Sequence, residues 1–139
     1  MSQMGGGMGF YGELPDSYNL VVNGHHSIIE KISNDLSASL ETKLKENDSE
    51  RSRVKEEIAF LEKEHKDKKQ EEIPQVEKDD LEKLRKELED FNKSRQEMLE
   101  NFGRDNNLVK QVIDLALLAN NMLKGEELSR FVKRSVELL

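Results

Sequence analysis

The sequence predicts an α+β fold that is predominantly α: a small β-element with helices, a long antiparallel coiled-coil hairpin insertion, and a C-terminal helix pair that forms a four-helix bundle with a second copy. Three observations carry this. Apolar positions advance by alternating steps of four and three from Leu40 and again from Leu81. One proline-marked break at Ile73-Pro74 separates the two runs. Two short C-terminal helices are strongly apolar in a chain that is otherwise polar.

Composition sets the frame. Of 139 residues, 37% are charged, 35% hydrophobic and 5% aromatic, with no Trp, and the mean hydropathy is -0.81. Such a chain completes a core only where helices share apolar stripes or a second chain contributes. Charges of both signs are interspersed, which favours exposed helix faces over disorder. The net charge of -7 argues against nucleic acid or an anionic membrane as partner, since either needs a basic footprint. Cysteine is absent, which excludes disulfides and thiolate metal sites and is compatible with a reducing cytosol. No apolar run approaches the ~20 residues of a membrane span. The start lacks the basic and apolar regions of a signal peptide. A cytoplasmic protein is expected.

Residues 1–17 read as a flexible lead-in. Gly5-Gly6-Gly7 cannot hold a helix, because each glycine adds about 1 kcal/mol of backbone entropy relative to Ala. No lysine precedes Lys31, so these glycines are not a phosphate-binding loop. Met1, Met4, Met8, Phe10 and Tyr11 give the segment adaptable apolar side chains that can grip varied surfaces; a plain linker is the alternative. Residues 18–34 are expected to hold a strand and a helix. Pro15-Asp16-Ser17 signals a turn, and Tyr18 to Val22 reads as a short strand. Such a strand needs a partner from Gly9-Phe10-Tyr11 or from sequence upstream. Asn23 or Ser27 can then cap a helix begun by Ile28, Ile29 and Ile32.

Residues 35–102 form the predicted hairpin. One seam holds Leu40, Leu44, Asn47, Arg51, Val54, Ile58, Leu61 and His65, the other Leu81, Leu84, Leu88, Phe91, Arg95, Met98 and Phe102. Pro74 lacks the N–H that a helix interior needs, so two helices are expected. Folding back at Pro74 sets Leu61 near Leu84, Ile58 near Leu88, Val54 near Phe91 and Arg51 opposite Arg95. Both seams thus turn polar at one level, with the guanidinium groups expected to snorkel to Glu50, Glu97 or Glu100. The arms should span roughly 40 Å or more, with a solvated tip at Lys66 to Glu72. Gly103 suits the C-cap that closes the hairpin.

Residues 107–139 change character. Leu108 to Leu123 is apolar around nearly the whole helix circumference and must be covered on all sides. Gly125 is the expected left-handed cap, and Glu126-Glu127 favour the positive N-terminus of the last helix. Pairing of two copies satisfies both helices, with Leu115, Leu118, Met122, Leu128, Phe131 and Val132 as interface anchors. The alternative is that the hairpin base and strand cover these faces within one chain.

No catalytic, cofactor-binding or metal residue is predicted. His25 and His26 point ~100° apart on a helix and do not readily share a metal, so a structural or capping role is expected. Carboxylate pairs such as Glu56-Glu57 and Asp79-Asp80 sit on solvated faces without a pocket to shift their pKa. The residues leave two functional classes: a dimerisation module and a stand-alone coiled-coil adaptor or scaffold.

A resemblance favours the first. Leu115-Ala116-Leu117-Leu118, Leu123-Lys124-Gly125-Glu126 and Phe131 to Leu139 resemble the end of the ninety-kilodalton heat-shock chaperones. Leu20 to Ile29, with Asn23 and His26 in matching places, is similar to that family's strand and following segment; Ser27 stands where the family often has Pro. Together the matches cover about a third to two fifths of the chain. The hairpin departs from most members and resembles an insertion carried by some bacterial ones, the HtpG proteins. The resemblance implies a C-terminal domain whose last two helices build a homodimer bundle, and a client-contacting segment of which Met1 to Tyr11 is the tail. It also implies an ATP-dependent chaperone acting on unfolded proteins under stress, with ATP and Mg held in a part upstream of this chain. The acidic recruitment tail of eukaryotic members is absent at Leu139, which argues against co-chaperone docking there.

Overall fold

The computed structural model describes residues 17–139. The lead-in through Asp16, with the candidate client-contacting residues Met1, Met4, Met8, Phe10 and Tyr11, lies outside the described residues. The rest forms α1 (Ser27–His65), a 3-10 turn (Gln70–Glu72), α2 (Gln75–Asp105), α3 (Asn107–Ala119) and α4 (Gly125–Glu137).

The expected β-element is not there. No strand occurs among the described residues, and the fold is helical rather than α+β. Tyr18 to Val22 runs through the segment without regular structure that precedes α1, with its side chains exposed. β-propensity alone does not make a strand; a ladder needs a second extended segment, and none of the described residues supplies one.

Helix α1 starts where backbone donors find side-chain acceptors. Asn23 Oδ1 accepts the His25 N–H at 3.1 Å, and His26, extended at φ -76° and ψ 136°, accepts the Ile28 N–H on Nδ1 at 3.2 Å. His26 is therefore the N-cap, where the sequence pointed to Asn23 or Ser27. Neither Gly nor Pro interrupts the chain from His25 to Ile73. The helix accordingly runs 39 residues without a break at Asp35, about 58 Å at ~1.5 Å per residue. Pro74 takes the N-cap of α2 at φ -57°, a place where its missing N–H costs nothing.

The two long helices pair antiparallel. Glu62 meets Arg85 at 2.8 Å, Arg53 meets Glu87 at 3.4 Å, and His65 meets Glu77 at 2.9 Å near the tip. Leu61 and Leu84 line one groove, as the folded-back register requires. Val54 is the most deeply buried side chain, with no exposed area, and Asn47 one heptad earlier is 8% exposed.

The polar layer sits where both seams lose their apolar residues, but its chemistry differs from the expectation. Asp48 Oδ1 accepts from Arg51 at 2.8 Å and from Arg95 at 3.0 Å. Asp48, one turn from Arg51 on the same helix, satisfies both arginines, while Glu50 pairs with Arg53. Hydrogen bonding from Arg95, then from Arg51, holds the Asp48 carboxyl below its ordinary pKa despite an opposing desolvation effect. A depressed folded pKa means this contribution is present above the unfolded value near 3.8 and fades as pH falls through the folded one. Thermal melts between neutral pH and pH ~2.5 should therefore show acid destabilisation that Asp48→Asn reduces.

At the hairpin base, α2 continues past Gly103 to Asp105. Asn106 ends α2 and caps α3, its Oδ1 accepting the N–H groups of Leu108 and Val109 at 2.9 and 3.0 Å. Its Nδ2 donates to Asp35 Oδ2 at 3.3 Å, tying α1 to this junction. A cap that serves two helices at once makes the glycine stop unnecessary.

Helix α3 ends earlier than expected, at Ala119 rather than Leu123. The Met122 N–H bonds the Leu117 carbonyl at 2.8 Å and the Asn121 N–H bonds the Leu118 carbonyl at 3.0 Å. Asn121 is left-handed at φ 57°. This is a Schellman stop with asparagine in the left-handed place. Gly125 also has positive φ, at 59°, but it opens α4 instead of closing α3.

Candidate self-association surface

Helices α3 and α4 pack on each other, and a polar seam stitches them. Arg134 forms an ion pair with Asp114 and donates from Nε to Gln111 Oε1 at 3.3 Å. Gln111 in turn donates to the Ser135 hydroxyl. Arg134 and Asp114 are both largely shielded from water, where such bonds are stronger than at the surface. Sequence reasoning missed this stripe by treating α3 as apolar all round. Gln111 and Asp114 lie three apart, hence on one face, and were the available signal. Leu123, in the connecting turn, is 3% exposed and completes the small core here.

With that face used within the chain, other apolar residues remain open. On α4, Leu128, Phe131, Arg134 and Ser135 are half-buried, whereas Val132 is 52% exposed and Val136 67%. Val132 and Val136, four residues apart, share one face of α4, turned roughly 100° from the α3-facing side. On α3, Ile113 and Leu115 are exposed, the latter at 52%. Leu115 joins Val112, Ala116 and Ala119 in one wall of a groove whose other wall is Leu20, Val22, Ile28 and Ile29.

The six expected interface anchors are thus divided. Leu118, Leu128 and Phe131 are half-buried within one copy. Val132 is open on α4, Met122 is open beyond α3, and Leu115 sits in the groove beside the extended segment. Among the described residues, no three His, Asp or Glu side chains cluster to hold a metal ion. No helix of the described residues is long and apolar enough to cross a membrane.

Comparison with known proteins places the whole chain. No family model and no solved structure matches it. Over all 139 residues it is 43% identical to the chaperone protein HtpG of Porphyromonas gingivalis. It is 40% identical over the same span to the HtpG proteins of Bacteroides thetaiotaomicron and Bacteroides fragilis. These matches include the hairpin, which the terminal motifs alone did not cover. The chain spans 20% of the length of each of these relatives. It therefore belongs to the HtpG chaperone family, its whole length matching the final fifth of those proteins.

Proposed function

We propose that the chain is the self-associating part of an HtpG chaperone, pairing two copies through α3 and α4 into a four-helix bundle. The observation that carries this reading is the exposed pair Val132 and Val136 on one face of an amphipathic terminal helix. Buried against its equivalent in a twofold arrangement, each apolar residue is removed from water twice. Homology to the chaperones over the full chain supports the same reading. In this reading ATP binding and hydrolysis belong to the part of the longer protein outside the chain, and the protein works in the cytoplasm. Met1, Met4, Met8, Phe10 and Tyr11 would contact partly folded clients.

The scaffold alternative rests on the hairpin, which exposes Phe60 and Val76 along its length. One experiment separates the two. Replacing residues 45–98 with a short turn should leave a dimer in sedimentation equilibrium, because α3 and α4 remain intact. Loss of self-association in a still-helical protein would transfer the pairing role to the hairpin.

A further inference from the structure

The α1–α2 seam contains a costly interruption that the proposed dimer does not use. Asn47 occupies a buried seam position; its Nδ2 donates to the Phe91 carbonyl at 3.1 Å, and its Oδ1 has no hydrogen-bond partner. Arg51 Nε donates across the seam to Asn92 Oδ1 at 2.8 Å, beside the Asp48–Arg95 bond at 3.0 Å. Three helix-to-helix polar bonds therefore fall within one short layer. Apolar seam residues flank it on both sides, Leu40 and Leu44 toward the base, Val54 and Ile58 toward the tip. An aliphatic layer would pack there without leaving a buried oxygen unsatisfied.

We propose that this layer is a register lock, selecting one alignment of the hairpin from alternatives one heptad apart. A heptad seam looks alike after a slip of seven residues, so leucines alone discriminate weakly. A slip in one direction sets Val54 level with Leu84; in the other it sets Val54 level with Met98. Apolar contact survives in both. Asn47 can meet a main-chain carbonyl in any register, but the two side-chain bonds across the seam, Arg51–Asn92 and Arg95–Asp48, survive neither slip. Moved one way, Asp48 faces Leu88 and Arg51 faces Arg85; moved the other way, Asp48 faces Phe102 and Arg95 faces Lys55. Each alternative leaves a carboxylate against an apolar side chain and brings two cations together, which disfavours that alignment, though by less than at a fully buried site because Asp48 and Arg95 are partly exposed.

The tip does not replace the lock. Lys66 to Glu72 is exposed, and it is held chiefly by the His65–Glu77 bond and by Lys78 donating to the Gln70 carbonyl. Loop closure depends only weakly on where such a turn forms. The mid-hairpin layer therefore constrains the register in addition to the proline-marked turn and its His65–Glu77 bond.

The chain has no cysteine, which permits a direct test by engineered disulfides. Glu62→Cys with Arg85→Cys reports the observed register. Lys55→Cys with Arg85→Cys and Lys55→Cys with Leu99→Cys, on the same face as the Glu62–Arg85 pair, report slips of one heptad in opposite directions. Each pair is oxidised in the otherwise unchanged chain and in a background carrying Asn47→Leu, Arg51→Leu and Arg95→Leu, and intrachain disulfides are mapped by peptide mass. In the unchanged chain the first pair should form and the other two should stay reduced. In the apolar background at least one slipped pair should rise tenfold or more, with helicity kept and the thermal midpoint raised. A single native disulfide in a folded apolar background would overturn the proposal. If the triple background loses helicity, Arg51→Leu with Arg95→Leu is scored by the same pairs. Loss of the helical hairpin in that milder background would also overturn it, since removing a lock leaves the pairing itself intact.

Discussion

If two copies pair through α4 as proposed, Val132→Asp is expected to leave single copies with their helices intact. The side chain is 52% exposed in one copy, so an aspartate there stays hydrated until a second copy approaches. In a twofold interface the substitution enters from both sides, bringing two carboxylates together and out of water. Association should weaken by at least about a hundredfold, or about 3 kcal/mol. Sedimentation equilibrium across a concentration range reads this directly, with circular dichroism as the control for folding. An unchanged dimer would remove α4 from the interface. Leu118 and Phe131, both half-buried inside the copy, are less discriminating targets, because a charge at either would disturb the α3–α4 packing first.

Val54→Ala should give the largest loss of hairpin stability from a single truncation. Val54 has no exposed area, and deleting two methyl groups there loses about 2 kcal/mol once the residual cavity is included. Urea unfolding should show this as a lowered midpoint with an unchanged slope. Phe60→Ala is the contrast: the ring is larger but exposed, so its removal should fall within about 0.5 kcal/mol. Equal effects at the two positions would mean that the seam is not packed as the structure shows.

What the sequence made legible was periodicity. Steps of four and three residues identified both arms of the hairpin, and Pro74 located the turn between them. The Leu61–Leu84 pairing followed from folding the chain at that proline. Helix ends were less legible, because several side chains can cap the same backbone groups. Asn106 closes α2 and opens α3, so Gly103 remains helical; Asn121 ends α3 before Gly125 is reached. The strand failed for a different reason. Tyr18 to Val22 has the composition of a strand, but pairing is a property of two segments and is not encoded in one. At the candidate surface, apolar content pointed to α3 and α4, on which Ile113, Leu115, Val132 and Val136 are exposed. It did not show that Gln111, Asp114, Arg134 and Ser135 would fasten them together, and so did not separate residues facing inward from those left open.

Because α1 passes from the Asp35–Asn106 junction to the hairpin tip without a kink, it transmits rotation as a stiff lever. A tilt of ten degrees about that junction would sweep the far end through about 8 Å, given roughly 45 Å from Asp35 to His65. Small angular adjustments near the terminal helices are thereby magnified at the distant turn, with no need for any hinge along the arm.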